Sequence, residues 1–300
     1  YYLSSLKLKI IKFSVNKAPK RIVTTELIIN KILRNFSFKT LIYFINNSIF
    51  RFISKLIFKV DCLMVLSGVD YNHYKKNSLV GEVKKIHSYD ISNALILEKK
   101  KFNRARKKNI SLLIDTPGPR YDGDEKVDKI KKYHTPEKWY PSLNRFFDFL
   151  ETNFKTNVKI APHPKTRPKK FSKDFNFREV LSNKLAINVR NAKIIISKVP
   201  GSNALLYAAF YKKPVLFIYS NEMIKHKNLM NSFQSYYKAL GYKPINIDKP
   251  LKKNEISNIL KMRNMSKYKR YIENYGTARK DKNPNFLILT GVINKFYNSK

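Results

Sequence analysis

The sequence predicts an α/β fold, a parallel sheet covered by helices on both faces. Three observations predict it. From about residue 106 onward, short apolar runs alternate with longer amphipathic ones. The short runs have the length of buried strands, and the longer ones repeat with the period of a helix. Polar elements stand just after three of the apolar runs: Asp115 and Thr116 after Ile110–Ile114, His163 and Pro164 after 158–161, Gly201 and Ser202 after 193–197. Strand, helix, strand in this order is the pattern of parallel strands with crossover helices. Ligands of such sheets bind beyond the carboxyl ends of the strands.

The first hundred residues give one clear strand, 62–66, among helix-like stretches and a polar segment at 67–85. Within 41–60, Asn47, Arg51, Lys55 and Lys59 recur every four residues, opposite Ile45, Ile49, Phe52, Ile53, Leu56 and Ile57. That is a basic amphipathic helix, too interrupted by polar residues to span a membrane. It either packs on its own domain or docks on an anionic membrane surface. Basic residues crowd 99–108 and mark a boundary there. Beyond it, Ile110–Ile114 is a strand, and 141–154 a helix that buries Leu143, Phe146, Phe147, Leu150 and Phe154. Strands at 158–161 and 193–197, a weaker one at 186–189, and a short helix at 203–211 follow. The strand Val215–Tyr219, a helix over 223–240 and a last strand at 244–247 complete the pattern, and the basic tail from about 256 is helical. The expected division is 1–105, 106–255 and 256–300.

Composition narrows the class. With 43% hydrophobic and 13% aromatic residues in 300, the chain has ample material for a core and is not disordered. Lys and Arg number 61 against 21 Asp and Glu, a formal charge of +40. Such an excess attracts polyanions, or reflects a Lys- and Asn-rich composition without a partner. No nucleic-acid module is recognisable, so nucleic acid is not the expected partner. The single cysteine, Cys62, excludes an intrachain disulfide and a cysteine zinc site, and fits core packing in a reducing cytoplasm. The chain begins at Tyr1 without Met or a signal-peptide pattern, which predicts missing N-terminal sequence.

Four groups of residues carry candidate chemistry. His163 lies between Pro162 and Pro164, which fix the backbone around it; its imidazole can donate to a phosphate oxygen or bond a loop carbonyl. Lys165 and Arg167 add positive charge nearby, or are solvated surface. Gly201, Ser202 and Asn203 open a helix of small residues, where Ser202 caps the helix and the free amides can hold a phosphate. Glu222, near a helix start just past Val215–Tyr219, can accept ribose hydroxyls or serve as a first-turn carboxylate. Asp115, Asp122, Asp124 and Asp90 are candidate carboxylates for deprotonating a hydroxyl, with no sequence feature to choose among them.

The ordered set of strand, His163-Pro164, strand, Ser202, small-residue helix, Lys213-Pro214 and strand resembles the donor half of GT-B-type bacterial glycosyltransferases. It is similar to the His-Pro motif proteins among sialyltransferases and polysialyltransferases, and to CDP-glycerol glycerophosphotransferases. The stretch from Asp115 through 140–148 to His163 is also similar to uncharacterised proteins of O-antigen and capsule clusters. The likeness covers about 111–248. Ser202-Asn203 stands where the sialyltransferases carry a serine pair, and 121–123 only partly matches their acidic motif.

The resemblance implies a GT-B-like, Rossmann-type α/β enzyme of two lobes. Residues 1–105 would be a truncated acceptor-side lobe and 106–255 the nucleotide-sugar lobe. It implies transfer of a sugar from a nucleotide-activated donor, CMP-linked in the sialyltransferases, to a lipid-linked or growing surface polysaccharide. His163 and Ser202 would stabilise the departing nucleotide, with Asp115 as base and Pro164, Lys165, Gly201, Asn203 and Glu222 lining the donor. Neither metal nor cofactor is expected, the nucleotide sugar being a substrate, and the location would be cytoplasmic or peripheral on the inner face of the membrane. A CDP-polyol phosphotransferase and a non-catalytic polyanion-binding protein are the alternatives.

Overall fold

The computed structural model describes residues 11–14, 60–65, 68, 71, 80–100, 109–115, 119, 134–163, 168–181, 184–198, 204–262 and 264–298. They belong to two compact units: one holds the described residues up to Ser92 and those from Glu273 onward, the other runs through Asn93–Ile272. The helical stretch expected at 41–60 lies outside the described residues, except for Val60, which opens a strand.

In the first unit, β1 (Ile11–Phe13), β2 (Val60–Val65) and β3 (Val80–Lys85) form a parallel sheet in that order. Only β2 is evident from sequence. The segment 67–85, read from sequence only as polar, ends in a strand: its last six residues are β3. Charged residues at Glu82, Lys84 and Lys85 hide the pattern of a strand that is only partly buried. Cys62, Met64, Ile86 and Val292 form a buried cluster, with Ile11, Ile288 and Leu289 packed against it. Val292, Ile288 and Leu289 come from the last helix, Asn285–Asn298. Just past β3, the His87 backbone N–H donates to Asn285 Oδ1 (2.9 Å), Asn285 Nδ2 donates to the His87 carbonyl (2.7 Å), and His87 Nδ1 meets Thr277 Oγ1 at 2.6 Å. The chain end is thereby tied to the sheet it returns to.

In the second unit, the apolar runs expected as strands, except 186–189, are strands: β4 (Ile110–Ile114), β5 (Asn157–Ala161), β6 (Ile194–Ser197), β7 (Val215–Tyr219) and the short β8 (Ile245–Asn246). β4 and β6 are buried along their whole length, as a parallel sheet covered on both faces requires. The order is β5-β4-β6-β7-β8, every pair parallel. Outside β5, Val180 bridges Ile160 in parallel, through bonds from Ile160 N–H to the Glu179 carbonyl (2.9 Å) and from Leu181 N–H to the Ile160 carbonyl (2.8 Å). Arg178, paired with Asp148 and Glu151, pins this segment to the helix before β5. With Val180 counted as a rudimentary third strand, the order becomes 3-2-1-4-5-6, that of the Rossmann fold. The α/β, Rossmann-like architecture expected from sequence is present.

The helices differ in detail. α1 (Tyr89–Lys99) precedes β4, and α2 (Pro136–Phe154) begins five residues before the expected start. Thr135 is its N-cap and Pro136 its first residue, so Pro141, which suggests a helix start by its fixed φ, is inside the helix. The strand expected at 186–189 is corrected to a helix, α3 (Leu185–Asn191); Ala186 and Val189 are buried at helical spacing, and a short apolar run does not separate the two states. α4 (Leu205–Phe210) follows β6. The helix expected over 223–240 is two, α5 (Asn221–Ile224) and α6 (Lys227–Leu240). α7 (Lys253–Lys261), α8 (Met265–Tyr271) and α9 (Asn285–Asn298) make the helical tail.

α6 ends at Gly241, whose φ of 85° is left-handed, with its N–H on the Tyr237 carbonyl at 2.7 Å. A Cβ there would also come within 2.7 Å of Lys267 Cδ. Gly241→Ala is expected to lower stability by about 1–2 kcal/mol, read as a lower urea midpoint at unchanged slope.

Candidate functional site at the carboxyl edge of the sheet

From β4 the chain moves outward to β5, and it returns on the other side of β4 as β6. The carboxyl ends of β4 and β6 therefore flank the topological switch point, where adjacent connections diverge and leave a crevice. Register brings Ala161 and Ser197 level with Ile114 on either side. The next residues, Asp115 and Lys198, leave the sheet side by side.

Lys198 Nζ stands 2.7 Å from Asp115 Oδ1, with the side chains 1% and 9% exposed. Two opposite charges at this depth sustain each other, since either one alone would be strongly disfavoured in so little water. The Lys198 ammonium also lies 5.8 Å from the centroid of the Trp139 ring. On that indole stacks His134, with centroids 4.5 Å apart and planes inclined by 28°. Burial, then the charges of Lys198 and His226, push the His134 imidazole down to about 3. His134 is therefore neutral at physiological pH.

The start of α2 supplies both aromatic rings and is itself held by the next strand end. Glu222, in α5 just past β7, accepts the Thr135 backbone N–H at 2.8 Å and lies 3.3 Å from Lys138 Nζ. Burial raises the Glu222 carboxyl, but the Thr135 bond and Lys138 together bring it below the usual range. Glu222 thus closes the open amide end of α2 from outside, as Thr135 provides no side-chain cap. Ser220 caps α5 by accepting the Met223 N–H, and the Asn221 N–H donates to Asp248 Oδ2 at 2.6 Å. Five loop segments, after β4, β6, β7 and β8 and before α2, meet at this edge.

His163 leaves the same edge two residues after β5 and is half-buried. The expectation that Asp115 and His163 follow parallel neighbours and face one edge is met. Pro164, Lys165, Arg167, Gly201, Ser202, Asn203, Asp122 and Asp124 lie outside the described residues. Asp90 sits in the first turn of α1, before β4, and does not belong to this strand-end set. Among the described residues, no group of three or more His, Cys, Asp or Glu side chains is arranged to hold a metal ion.

No protein-family model and no curated protein matches the chain. The site is read from its chemistry. Sequence reasoning passed over Lys198, His134 and Trp139. For Lys198 a signal exists: it directly follows a four-residue buried strand, on the strand next to the one that ends at Asp115. For His134 the signal is its place just before Thr135-Pro136-Glu137, a helix-start pattern hidden by the later Pro141. The set combines a buried cation, a carboxylate, an aromatic plane and an imidazole on a neighbouring strand end. Trp139 and Lys198 are fully buried and hold the site from behind, which leaves Asp115 to move a proton and the half-buried His163 to meet a phosphate.

Proposed function

We propose that the second unit binds the nucleotide of an activated sugar at this edge and transfers the sugar to a hydroxyl of a lipid-linked or growing surface glycan. The observation that carries the reading is that the Asp115–Lys198 ion pair and His163 follow three adjacent parallel strands at the carboxyl edge, beside the switch point of a Rossmann-like sheet. In the proposed reaction the acceptor oxygen forms the new bond to the anomeric carbon. The bond from that carbon to the phosphate oxygen breaks, and the nucleotide leaves with the electron pair. The hydroxyl proton passes to Asp115, which Lys198 orients. His163 donates to the phosphate and offsets the charge that develops on it.

Thermal-shift titration with CMP, CDP, UDP and GDP tests the reading, on the wild type and on His163→Ala. One nucleotide is expected to stabilise the wild type by about 2.7 kcal/mol at a hundred times its Kd. His163→Ala is expected to weaken that binding by about tenfold or more. Product phosphate content then separates sugar transfer from polyol-phosphate transfer. If no nucleotide stabilises the protein, and salt-sensitive polyanion binding survives His163→Ala, the transferase reading is wrong and the charge of +40 is the functional feature.

A further inference from the structure

The last helix, α9, is apolar on two sides. Its inner side packs Val292, Ile288 and Leu289 into the core of the first unit. Its outer side exposes four large apolar side chains: Phe286 by 56%, Leu287 by 47%, Ile293 by 54% and Tyr297 by 75%. Positions 286, 290, 293 and 297 follow the helical repeat, so Phe286, Thr290, Ile293 and Tyr297 form one stripe with Leu287 at its margin. The Thr290 hydroxyl is bonded to the Phe286 carbonyl at 2.8 Å, and so is satisfied within the helix. A contiguous apolar patch left in water marks an interaction surface.

Charge identifies what covers it. α9 contains no Asp or Glu, and the exposed Lys280 and Lys282 precede it, whereas Lys295, inside the helix, lies opposite the stripe and pairs with Glu82. The nearby carboxylates are already matched: Glu82 by Lys84 and Lys295, and Asp281 by Arg279. A second copy of this chain would bring another charge of +40 against the first and is repelled. The complementary surface is one with an apolar interior and an anionic skin. We propose that α9 is an interfacial anchor: its outer stripe sinks into the headgroup boundary of a bilayer rich in acidic lipid, while Lys280 and Lys282 meet the headgroups. At 14 residues it is about 21 Å long and cannot cross a hydrocarbon core of about 30 Å. No helix among the described residues is long and apolar enough to cross a membrane. The helix therefore lies in the plane of the interface.

Co-sedimentation with lipid vesicles tests this independently of the nucleotide site. The full chain is expected to bind phosphatidylcholine vesicles containing phosphatidylglycerol, and to bind pure phosphatidylcholine vesicles weakly. The exposed triple variant Phe286→Ser, Ile293→Asn, Tyr297→Ser is expected to lose affinity for the acidic vesicles by at least about thirtyfold. A single variant, Phe286→Trp, made in a Trp139→Phe background so that the new indole alone reports, is expected to shift its fluorescence to the blue on adding the acidic vesicles. The inference is overturned if the wild type ignores acidic vesicles, if the triple variant binds them as tightly, or if the emission of the Phe286→Trp variant does not move. It is equally overturned if the wild type self-associates and the triple variant is monomeric, which would make the stripe a contact between copies.

Discussion

Replacing Lys198 by methionine is expected to destabilise the second unit by about 3–5 kcal/mol. The substitution keeps the length and packing of the side chain but leaves the Asp115 carboxylate 9% exposed without its countercharge. It also removes the cation that stands 5.8 Å from the Trp139 ring. The double variant Asp115→Asn, Lys198→Met is expected to recover most of that loss, because removing both charges removes the penalty of burying them. The coupling between the two positions measures the pair itself. Urea unfolding followed by Trp139 emission provides the readout, since Trp139 is the only tryptophan and is buried in this unit. A single-variant loss below about 1 kcal/mol would mean that water or another group compensates Asp115. The double variant also separates structure from function: folded and stable, and still binding the nucleotide found by thermal shift, it is expected to lose transfer by at least about a hundredfold, because the base is gone.

The alternation of short and long apolar periods is enough to place the sheet of the second unit, because fully buried strands such as Ile194–Ser197 can hold little but apolar residues. The same logic fixes the strand-end positions, so Asp115 and His163 are legible as neighbours from the sequence. What escapes is set by tertiary contacts. Leu185–Asn191 is helical since Ala186 and Val189 bury one side of a helix, a preference that four residues do not encode. Glu222 reads in sequence as a ribose ligand or a first-turn carboxylate; it is the latter in α5, and it also holds the amide end of α2, eighty-odd residues away along the chain, which no local pattern shows. The Lys198–Asp115 pair is likewise invisible to local pattern. A lysine in a chain this rich in lysine carries no signal until register sets it beside a carboxylate. In the first unit, the strands Ile11–Phe13 and Val80–Lys85 are lost among charges because a partly buried strand needs only a few apolar positions.

The stability of the second unit is expected to fall as the pH is lowered from about 6.5, and His134 is the reason. Above that value the imidazole is neutral in both the folded and the unfolded chain. Below it, the unfolded chain takes up a proton that the buried ring, held down to about 3, refuses. Each pH unit within that window then removes about 1.4 kcal/mol, and protonation inside the fold would set a cation on Trp139 beside the Lys198 ammonium. Carboxylates held below their ordinary range, Glu222 among them, contribute stability that is lost only as the pH passes below about 4.5. The region from about 6.5 to about 5 therefore isolates the histidine contribution. His87 is also held down by burial, but it is unchanged in a His134→Phe variant and cancels when the two proteins are compared. His134→Phe keeps an aromatic ring against the indole and cannot take a proton. Urea midpoints followed by Trp139 emission are expected to fall between about pH 6.5 and pH 5 in the wild type and to stay nearly level in the variant. An equal slope in both proteins would show that His134 is protonated in the fold. The electrostatic arrangement of the site would then be a buried cation pair instead of a neutral ring beside one lysine.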